Sequence, residues 1–379
     1  MSSSETVDSL LAGADPGAAF EQLAEHYRRE GEFSRLFEAR MMRSRHALGL
    51  PLLGNLPEGV PEATRRNYDA SLAEAAREAG SAFLASGDIG RAWPYYRALG
   101  DPAPVVAAIE NFQGGEQLDA AIEIALSERL HPRKGIELIL EHHGICRAIT
   151  CFDQYPDPAS RDRTLLVLIG HLHSELAANL RGVIAAREGT APPESASIAE
   201  LVAGRDWLFG EYDYYIDTSH LTSLLRYALD SEDREVLSKA VDLTAYGAKL
   251  GPMFQYKSDP PLDRMYEDHR VWLRALLGED VDAAVAHFKR KAGEADPDQF
   301  GSYPSQVVVK FLVRLSRVHD AIEVFERHLK DTDPRYLSCP QLDELLRLAG
   351  EYDRLAQHSL HRGDLLGYAA ARIERARQS

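Results

Sequence analysis

Apolar residues recur along this chain at intervals of three and four positions. Over residues 281–292 they fall at Val281, Ala284, Val285, Phe288 and Ala292. This spacing places all of the apolar side chains on one face of an α-helix. The same spacing returns over residues 237–245 and 307–315, whereas the alternation that marks β-strands is almost nowhere found. The pattern predicts an almost entirely α-helical protein.

Short turns separate the predicted helices. Glycine, proline, aspartate and asparagine interrupt the apolar pattern at short intervals, as expected for antiparallel helices joined by tight connections. Three stretches are longer and are predicted to be loops, namely residues 187–197, 249–261 and 293–304. The chain is therefore expected to be a series of helical hairpins.

A turn residue, a small residue five positions later and usually an aromatic residue recur in the same order at four places. They are Gly87, Ala92 and Tyr96; Gly115 and Ala120; Gly278, Ala283 and Phe288; and Ser316, Ala321 and Phe325. A small side chain lets two helix backbones approach closely, and an aromatic ring fills the space beside the contact. The pattern therefore predicts a similar helix–helix contact at each place.

This pattern resembles the second helix of tetratricopeptide repeats, in which a turn glycine, a small residue, an aromatic residue and a closing proline follow one another. Pro102 and Pro334 take the closing position in the first and last stretches. The spacing between stretches is irregular, unlike the strict period of that family. The resemblance implies an all-α fold, an α–α solenoid of stacked antiparallel helical hairpins with an irregular central segment.

The chain divides by character into four segments. The first is small and polar, and the third holds two of the three tryptophans and a run of tyrosines. We expect the third segment to be the functional centre of a continuous solenoid. The predicted segments are a disordered N-terminus, residues 1–16; N-terminal helical repeats, 17–140; a histidine- and aromatic-rich central helical segment, 141–278; and C-terminal helical repeats with a cap, 279–379.

Composition and charge narrow the classes of partner. A hydrophobic content of 45% excludes a disordered chain, because enough apolar surface is present to offset the entropy of ordering. Lysine and arginine number 43 against 59 aspartates and glutamates, which gives a formal net charge of −16. Such a surface repels phosphate backbones. No apolar stretch approaches the roughly 20 residues of a membrane span. We expect neither nucleic acid nor a membrane as partner.

The three cysteines and the N-terminus bear on location. The N-terminal residues carry neither the basic start nor the apolar stretch of a secretory signal. Cys146, Cys151 and Cys339 are too few and too scattered for a disulfide framework. Cys146 and Cys151 match zinc-binding pairs poorly and are predicted to be small buried hydrophobic residues. These features predict a cytoplasmic protein.

Histidines form the first candidate site. His173 and His269 lie on apolar helical stripes, His220 borders another, and about one hairpin separates each from the next. In a solenoid such positions stack near each other, so the three imidazoles could hold zinc or iron or act in acid–base catalysis. Asp217 would be a fourth ligand or an orienting carboxylate, and His143 could add a nitrogen. Alternatively, each histidine is hydrogen-bonded within a helical core, and Asp217 caps a helix.

Aromatic and arginine side chains of the central segment form the second candidate site. Aromatic rings supply contact area at low entropic cost, and arginine can clasp a carboxylate, so together they would suit a concave ligand groove. Alternatively, many of these rings simply fill hairpin cores. The candidate residues are Trp207, Tyr214, Tyr215, Arg226, Tyr246, Arg270 and Trp272.

Two functions remain open. The sequence lacks the phosphate-binding loop GxxxxGK[ST], GxGxxG, HExxH and GxSxG, which argues against the enzyme classes that use them. The first hypothesis is an intracellular helical-repeat protein that binds a peptide or a protein partner through its central concave surface and requires no cofactor. The alternative is a helical enzyme that uses the central His/Asp cluster, with zinc or iron as a divalent metal. The metal content of the purified protein separates the two.

Overall fold

The computed structural model describes Ala12 and residues 15–378. Among these residues the regular structure is helical, apart from an isolated antiparallel bridge between Lys257 and Arg264. The predicted all-helical class is therefore confirmed. Within the same residues, no helix combines the length and the apolar character needed to cross a membrane.

Two compact units make up the chain, and the boundary between them follows Thr164. The first unit contains eight α-helices among its described residues. They are α1 Pro16–Arg29, α2 Phe33–Ala47, α3 Glu62–Ala85, α4 Ile89–Leu99, α5 Ala103–Glu110, α6 Leu118–Leu126, α7 Pro132–His143 and α8 Ile145–Asp153. The next helix, α9, runs from Arg161 to Glu188, so the boundary falls in its first turns.

The second unit holds the rest of α9 and the helices that follow it in the described part of the chain. They are α10 Ile198–Val202, α11 Thr218–Ala228, α12 Arg234–Gly247, α13 Met265–Leu276, α14 Val281–Glu294, α15 Pro297–Phe300, α16 Tyr303–Arg314, α17 Val318–His328, α18 Leu342–Leu348, α19 Tyr352–His361 and α20 Leu365–Arg377.

Each helix packs mainly against its neighbours in the chain. In the first unit α1 packs on α2, α2 on α3, α3 on α4 and α6 on α7. In the second unit α12 packs on α13, α16 on α17 and α19 on α20. Helices two places apart also meet, as α11 does with α13 and α14 with α16. Short connections favour this arrangement, because they keep consecutive helices adjacent in space.

Aromatic side chains fill the core of each unit. In the first unit Phe83 is fully buried and meets the ring of Phe33 edge-on, with 5.1 Å between the ring centroids. In the second unit Trp272, Phe288 and Phe311 form one aromatic cluster within a larger apolar core. Burial of rings this large is a main source of stability in a helical fold.

The four turn positions of the sequence pattern share a backbone conformation. All have a positive φ, with values of 81° at Gly87, 113° at Gly115, 88° at Gly278 and 57° at Ser316. Glycine adopts this conformation without steric cost, whereas serine adopts it rarely. Ala92 and Ala321, five positions after two of these turns, are fully buried. After Gly278 the buried small residue is Ala284, and Ala283 is exposed.

The bounds of two predicted segments differ from the bounds found in the structure. Helix α1 begins at Pro16, so the last residue of the predicted disordered segment 1–16 is helical. Residues 1–11, 13 and 14 lie outside the described residues. The boundary after Thr164 falls within the predicted central segment, 141–278.

The prediction that the paired cysteines are buried was wrong for Cys146. Its side chain is exposed, Cys151 is half-buried and Cys339 is buried. The apolar face of the short helix α8 is formed by Ala148, Ile149 and Phe152, and a helix this short buries one narrow stripe.

Candidate functional site

A polar cavity of about 640 Å³ opens in the second unit. Five elements form its walls: α9, α10, α12, α13 and the loop of residues 189–197, which we call the α9–α10 loop. Its charged and imidazole-bearing lining residues are His173, Arg181, Glu194, Lys239, Asp242 and Arg270. Serines contribute further polar groups to the lining. Polar groups that converge in a concave site are the usual mark of a ligand-binding region.

Helical periodicity accounts for two of these walls. On α9 the lining positions His173, Ala177 and Arg181 are four residues apart, so they follow one another along one face. On α12 the lining positions Asp242 and Ala245 are three apart and likewise share a face. The remaining faces of both helices carry the leucines, isoleucines and valines that are buried in the unit. The cavity is therefore built on helices that core packing holds in place.

Asp242 organises the side of the cavity next to the α9–α10 loop. Its carboxylate accepts a hydrogen bond of 2.8 Å from Nε2 of His173 and others of 2.8 Å from the backbone N–H groups of Ile198 and Ala199. Those two N–H groups begin α10, where the helix itself offers them no acceptor. One carboxylate from α12 therefore fixes both an imidazole of α9 and the start of α10.

The pKa of Asp242 reflects these contacts. Burial alone would raise it, but the hydrogen bonds from His173 and from the two backbone N–H groups outweigh that effect. The pKa of the Asp242 carboxyl therefore lies below its ordinary value. The group is a carboxylate at neutral pH, and its acceptor capacity is largely taken up within the protein.

Three cations line the same cavity. Arg270 is exposed and has no ion-pair partner among the residues that the structure describes. Lys239 lies 3.5 Å from the carboxylate of Glu235, one turn earlier on α12. Arg181 donates through Nη2 to the backbone carbonyl of Glu194, and its Nε is buried without a hydrogen-bond partner in the described structure. Within the part of the chain that the structure describes, no buried carboxylate pairs with any of these three cations.

The predicted metal ligands take different roles. His173 lines the cavity and bonds Asp242. Asp217 caps α11, where it accepts hydrogen bonds from the backbone N–H groups of Ser219 and His220. This is the helix-capping alternative that the sequence left open. His220 lies half-buried in the first turn of the same helix.

His269 and His143 complete the predicted set. His269 is 2% exposed, and neither ring nitrogen makes a well-aligned hydrogen bond in the described structure. Burial lowers its pKa to about 4, although the nearby Met265 carbonyl opposes this shift. His143 is exposed at the end of α7 in the first unit. Among the described residues, no three His, Cys, Asp or Glu side chains form a metal-binding group. The metal centre therefore stays a prediction.

Two of the predicted ligand-binding aromatic residues belong to the core. Tyr246 is fully buried, its hydroxyl accepts a hydrogen bond of 2.8 Å from the backbone N–H of Tyr215, and burial raises its pKa to about 12. Tyr215 in turn donates to the Leu208 carbonyl over 3.0 Å. Trp272 is buried against Phe288. The arrangement of Tyr246 and Trp272 matches the core-filling alternative that the sequence left open.

The remaining predicted ligand-binding residues lie nearer the surface. Tyr214 is exposed, and its ring packs edge-on against Phe254. Trp207 is half-buried beneath the guanidinium of Arg187, which lies 4.4 Å from the ring centroid. Arg226 is exposed on α11. Of the seven predicted ligand-binding residues, Arg270 lines the cavity.

Sequence reasoning missed Arg181, Lys239 and Asp242. Asp242 had a detectable signal, because it is an acidic residue within the apolar stretch of α12 that contains Leu237 and Leu243. An acidic residue in such a stretch indicates a specific partner. Arg181 and Lys239 gave no such signal, since cations at the edge of an apolar stripe are common on any solvated helix.

Replacing Asp242 with Asn is expected to lower the free energy of unfolding by about 1–3 kcal/mol at pH 7, because one amide oxygen cannot serve three donors. A depressed carboxyl pKa contributes stability above the unfolded-state pKa of about 4 and loses it as the pH falls further. The difference between the two proteins should therefore shrink below pH 4. Urea unfolding at pH 7 and at pH 3 measures it.

Asp206→Asn is the matched control for this substitution. That carboxylate is 90% exposed and pairs with Lys249 at the surface, so its loss should cost less than about 1 kcal/mol. Equal stability of the Asp242→Asn variant and the unaltered protein at pH 7 would contradict the role given to Asp242.

Comparisons of the chain with known protein families, with curated proteins and with solved structures found no match.

Proposed function

We propose that this chain is a helical-repeat binding protein that takes a peptide, or an extended segment of a partner protein, into the cavity of its second unit. The observation that carries the proposal is the cavity itself, which is open, polar and walled by helices fixed in a packed core. Preorganised walls favour binding because little conformational entropy is lost when the ligand enters.

The scaffold supports this proposal. Helices pack on their neighbours in the chain, and the four turn positions of the repeat-like pattern share a positive φ. Both features suit an α–α solenoid of tetratricopeptide type, and such solenoids present extended surfaces for partner proteins. We propose this solenoid as the arrangement of the helices within the second unit.

The chemistry of the cavity also favours binding. Asp242 and His173 hold one another, and Asp242 holds the start of α10, so both serve the architecture of the wall. The exposed carboxylate of Glu194 also lines the cavity, but most of the polar side chains left to meet a ligand are cations and serine hydroxyls, including Arg270 and Ser238. These groups are hydrogen-bond donors, which suit peptide carbonyl and carboxylate oxygens.

Filling the cavity tests the proposal. Peptides are selected from a random library on the unaltered protein and then measured by fluorescence anisotropy on an Ala245→Trp variant, in which an indole occupies the cavity wall. We expect at least tenfold weaker binding, because the large side chain excludes the ligand.

The control is Ala286→Trp, at an exposed position of α14 outside the cavity lining, and its binding should match that of the unaltered protein. Circular dichroism verifies that both variants are folded. Selected peptides that bind the Ala245→Trp variant normally would move the site elsewhere, and a library that yields no binder would overturn the proposed function.

An enzyme is the second candidate, and the His173–Asp242 pair favours it. A histidine hydrogen-bonded to a carboxylate over 2.8 Å within a cavity is an arrangement that general bases use. Zinc or iron that copurifies in stoichiometric amount and is lost in a His173→Ala variant would favour this candidate over the binding protein.

A further inference from the structure

The cations of the cavity indicate which peptides it would take. We propose that the cavity recognises an acidic peptide segment, with Arg270, Arg181 and Lys239 contacting its carboxylates. This inference rests on the proposed function and adds the chemical class of the ligand. It follows from the contacts that each cation makes in the structure and from the contacts of the two carboxylates that line the same cavity.

Arg270 is the most available of the three cations. Its neighbours in sequence, Asp268 and His269, are buried, so Arg270 occupies the outer face of α13 where that helix borders the cavity. The described residues offer it no carboxylate partner. A guanidinium presents its donors in a planar fork that matches the two oxygens of a carboxylate. Arg270 is therefore placed to clasp one side chain of an acidic ligand.

Arg181 and Lys239 are only partly engaged. The guanidinium of Arg181 is steadied through Nη2 by the Glu194 carbonyl, and its Nε has no acceptor in the described structure. Buried donors without an acceptor are costly, so a ligand carboxylate that draws this guanidinium into a fuller set of hydrogen bonds gains free energy. The Lys239 contact with Glu235 spans 3.5 Å, and the glutamate is 62% exposed. Exposed pairs of this kind contribute little and exchange partners readily.

The two acids that line the cavity offset the charge of these three cations only in part. The Asp242 carboxylate already accepts three hydrogen bonds from groups within the protein. Glu194 is exposed on the α9–α10 loop, and its backbone carbonyl is the group that meets Arg181. Three cations against the two carboxylates of Asp242 and Glu194 leave the lining with one net positive charge, on a chain whose formal net charge is −16. A long polyanion such as nucleic acid would extend over the acidic surface and be repelled, whereas a short peptide confines its charges to the cavity.

Three fluorescein-labelled peptides of equal length test the proposal, one with a run of glutamates, one with glutamines and one with lysines in the same positions. Anisotropy is measured at low and at physiological ionic strength. We expect the glutamate peptide to bind at least tenfold more tightly than the glutamine peptide, and the difference to shrink as salt is raised. The lysine peptide should bind most weakly, because like charges meet.

Charge-neutral variants locate the effect. Arg270→Gln should weaken binding of the glutamate peptide about tenfold and leave the glutamine peptide unchanged, because charge-assisted hydrogen bonds are about twice as strong as neutral ones. Arg372→Gln is the control, since Arg372 is exposed on α20, outside the cavity lining. Its binding should match that of the unaltered protein. Inorganic phosphate is added as a competitor to separate a peptide ligand from a small anion.

Each outcome decides the proposal. Equal binding of the glutamate and glutamine peptides, with both blocked in the Ala245→Trp variant, would leave the proposed function standing and overturn the acidic ligand class. Unchanged glutamate binding in Arg270→Gln would overturn it as well. Failure of the glutamate peptide, with library-selected neutral peptides still bound, would do the same. If low-millimolar phosphate displaces the glutamate peptide completely, the ligand of the cavity is a small anion and the acidic-peptide proposal is overturned.

Discussion

Replacing Asp268 with Asn is expected to lower the free energy of unfolding by about 3 kcal/mol or more, because it removes one partner of a buried ion pair. Asp268 is 1% exposed and accepts hydrogen bonds from the backbone N–H of Arg264 at 2.8 Å, from Nε2 of His287 at 2.9 Å and from Nζ of Lys291 at 2.5 Å. These contacts join the start of α13 to α14. Asparagine lacks the charge and leaves at least one buried donor without an acceptor.

Asp263→Asn supplies the matched control. Asp263 also contacts Lys291, over 2.6 Å through a buried Oδ1, but its side chain as a whole is 38% exposed, against 1% for Asp268. Its loss should cost about 1–2 kcal/mol, less than the loss of Asp268, because the Asp263 carboxylate accepts no backbone N–H and no imidazole in the described structure. Urea unfolding followed by circular dichroism at pH 7 measures both variants. If the two substitutions cost the same, the buried hydrogen bonds of Asp268 do not hold α13 to α14.

The helices of this protein could be predicted because their signal is local. The apolar stripe over residues 281–292 became α14, Val281–Glu294, and all but the last residue of the stripe over 307–315 lies in α16, Tyr303–Arg314. A residue's place on a helix face depends on neighbours three and four positions away, and the sequence states these directly. The same local signal located the turns, since Gly87 and Gly278 occupy the positive-φ positions that favour glycine.

The cavity could not be predicted in the same way, because its contacts are distant in sequence. His173 was singled out for its place on an apolar stripe, but its partner Asp242 lies 69 residues away. The N–H groups of Ile198 and Ala199 reach the same carboxylate across more than 40 residues. Helical periodicity shows which face is buried, not which other helix meets it. Such pairings emerge only from the packed structure.

The predicted histidine site shows the same limit: helical periodicity places each histidine on a helix face but does not show which residues surround it. His173, His220 and His269 occupy comparable stripe positions in the sequence, yet the structure gives each a different environment. His173 lines the cavity, His220 is half-buried at the start of α11, and His269 is enclosed by the core. Equivalent positions converge only when the repeats that carry them are regular, and the repeat-like pattern here is irregular.

Trp272 tests most directly whether a predicted ligand-binding residue is part of the core. Its ring is 5% exposed, and its centroid lies 4.2 Å from that of Phe311 and 5.4 Å from that of Phe288. Trp272→Ala should lower the free energy of unfolding by about 3–5 kcal/mol, because it removes a large buried ring and leaves a cavity between three helices. Peptide binding by the fraction that remains folded should be unchanged.

The control for this substitution is Trp207→Ala. Trp207 is half-buried, and its main described ring contact is the guanidinium of Arg187. Losing a half-exposed ring with a cation–π contact should cost about 1–2 kcal/mol, clearly less than the change at Trp272. Thermal and urea unfolding compare the two variants in the same buffer. A Trp272→Ala protein that unfolds at the same urea concentration as the unaltered chain but binds the selected peptides more weakly would return Trp272 to the ligand site. A Trp272→Ala protein that is less stable but binds the peptides normally would show that the indole packs α13 against α14 and α16 and does not contact the ligand.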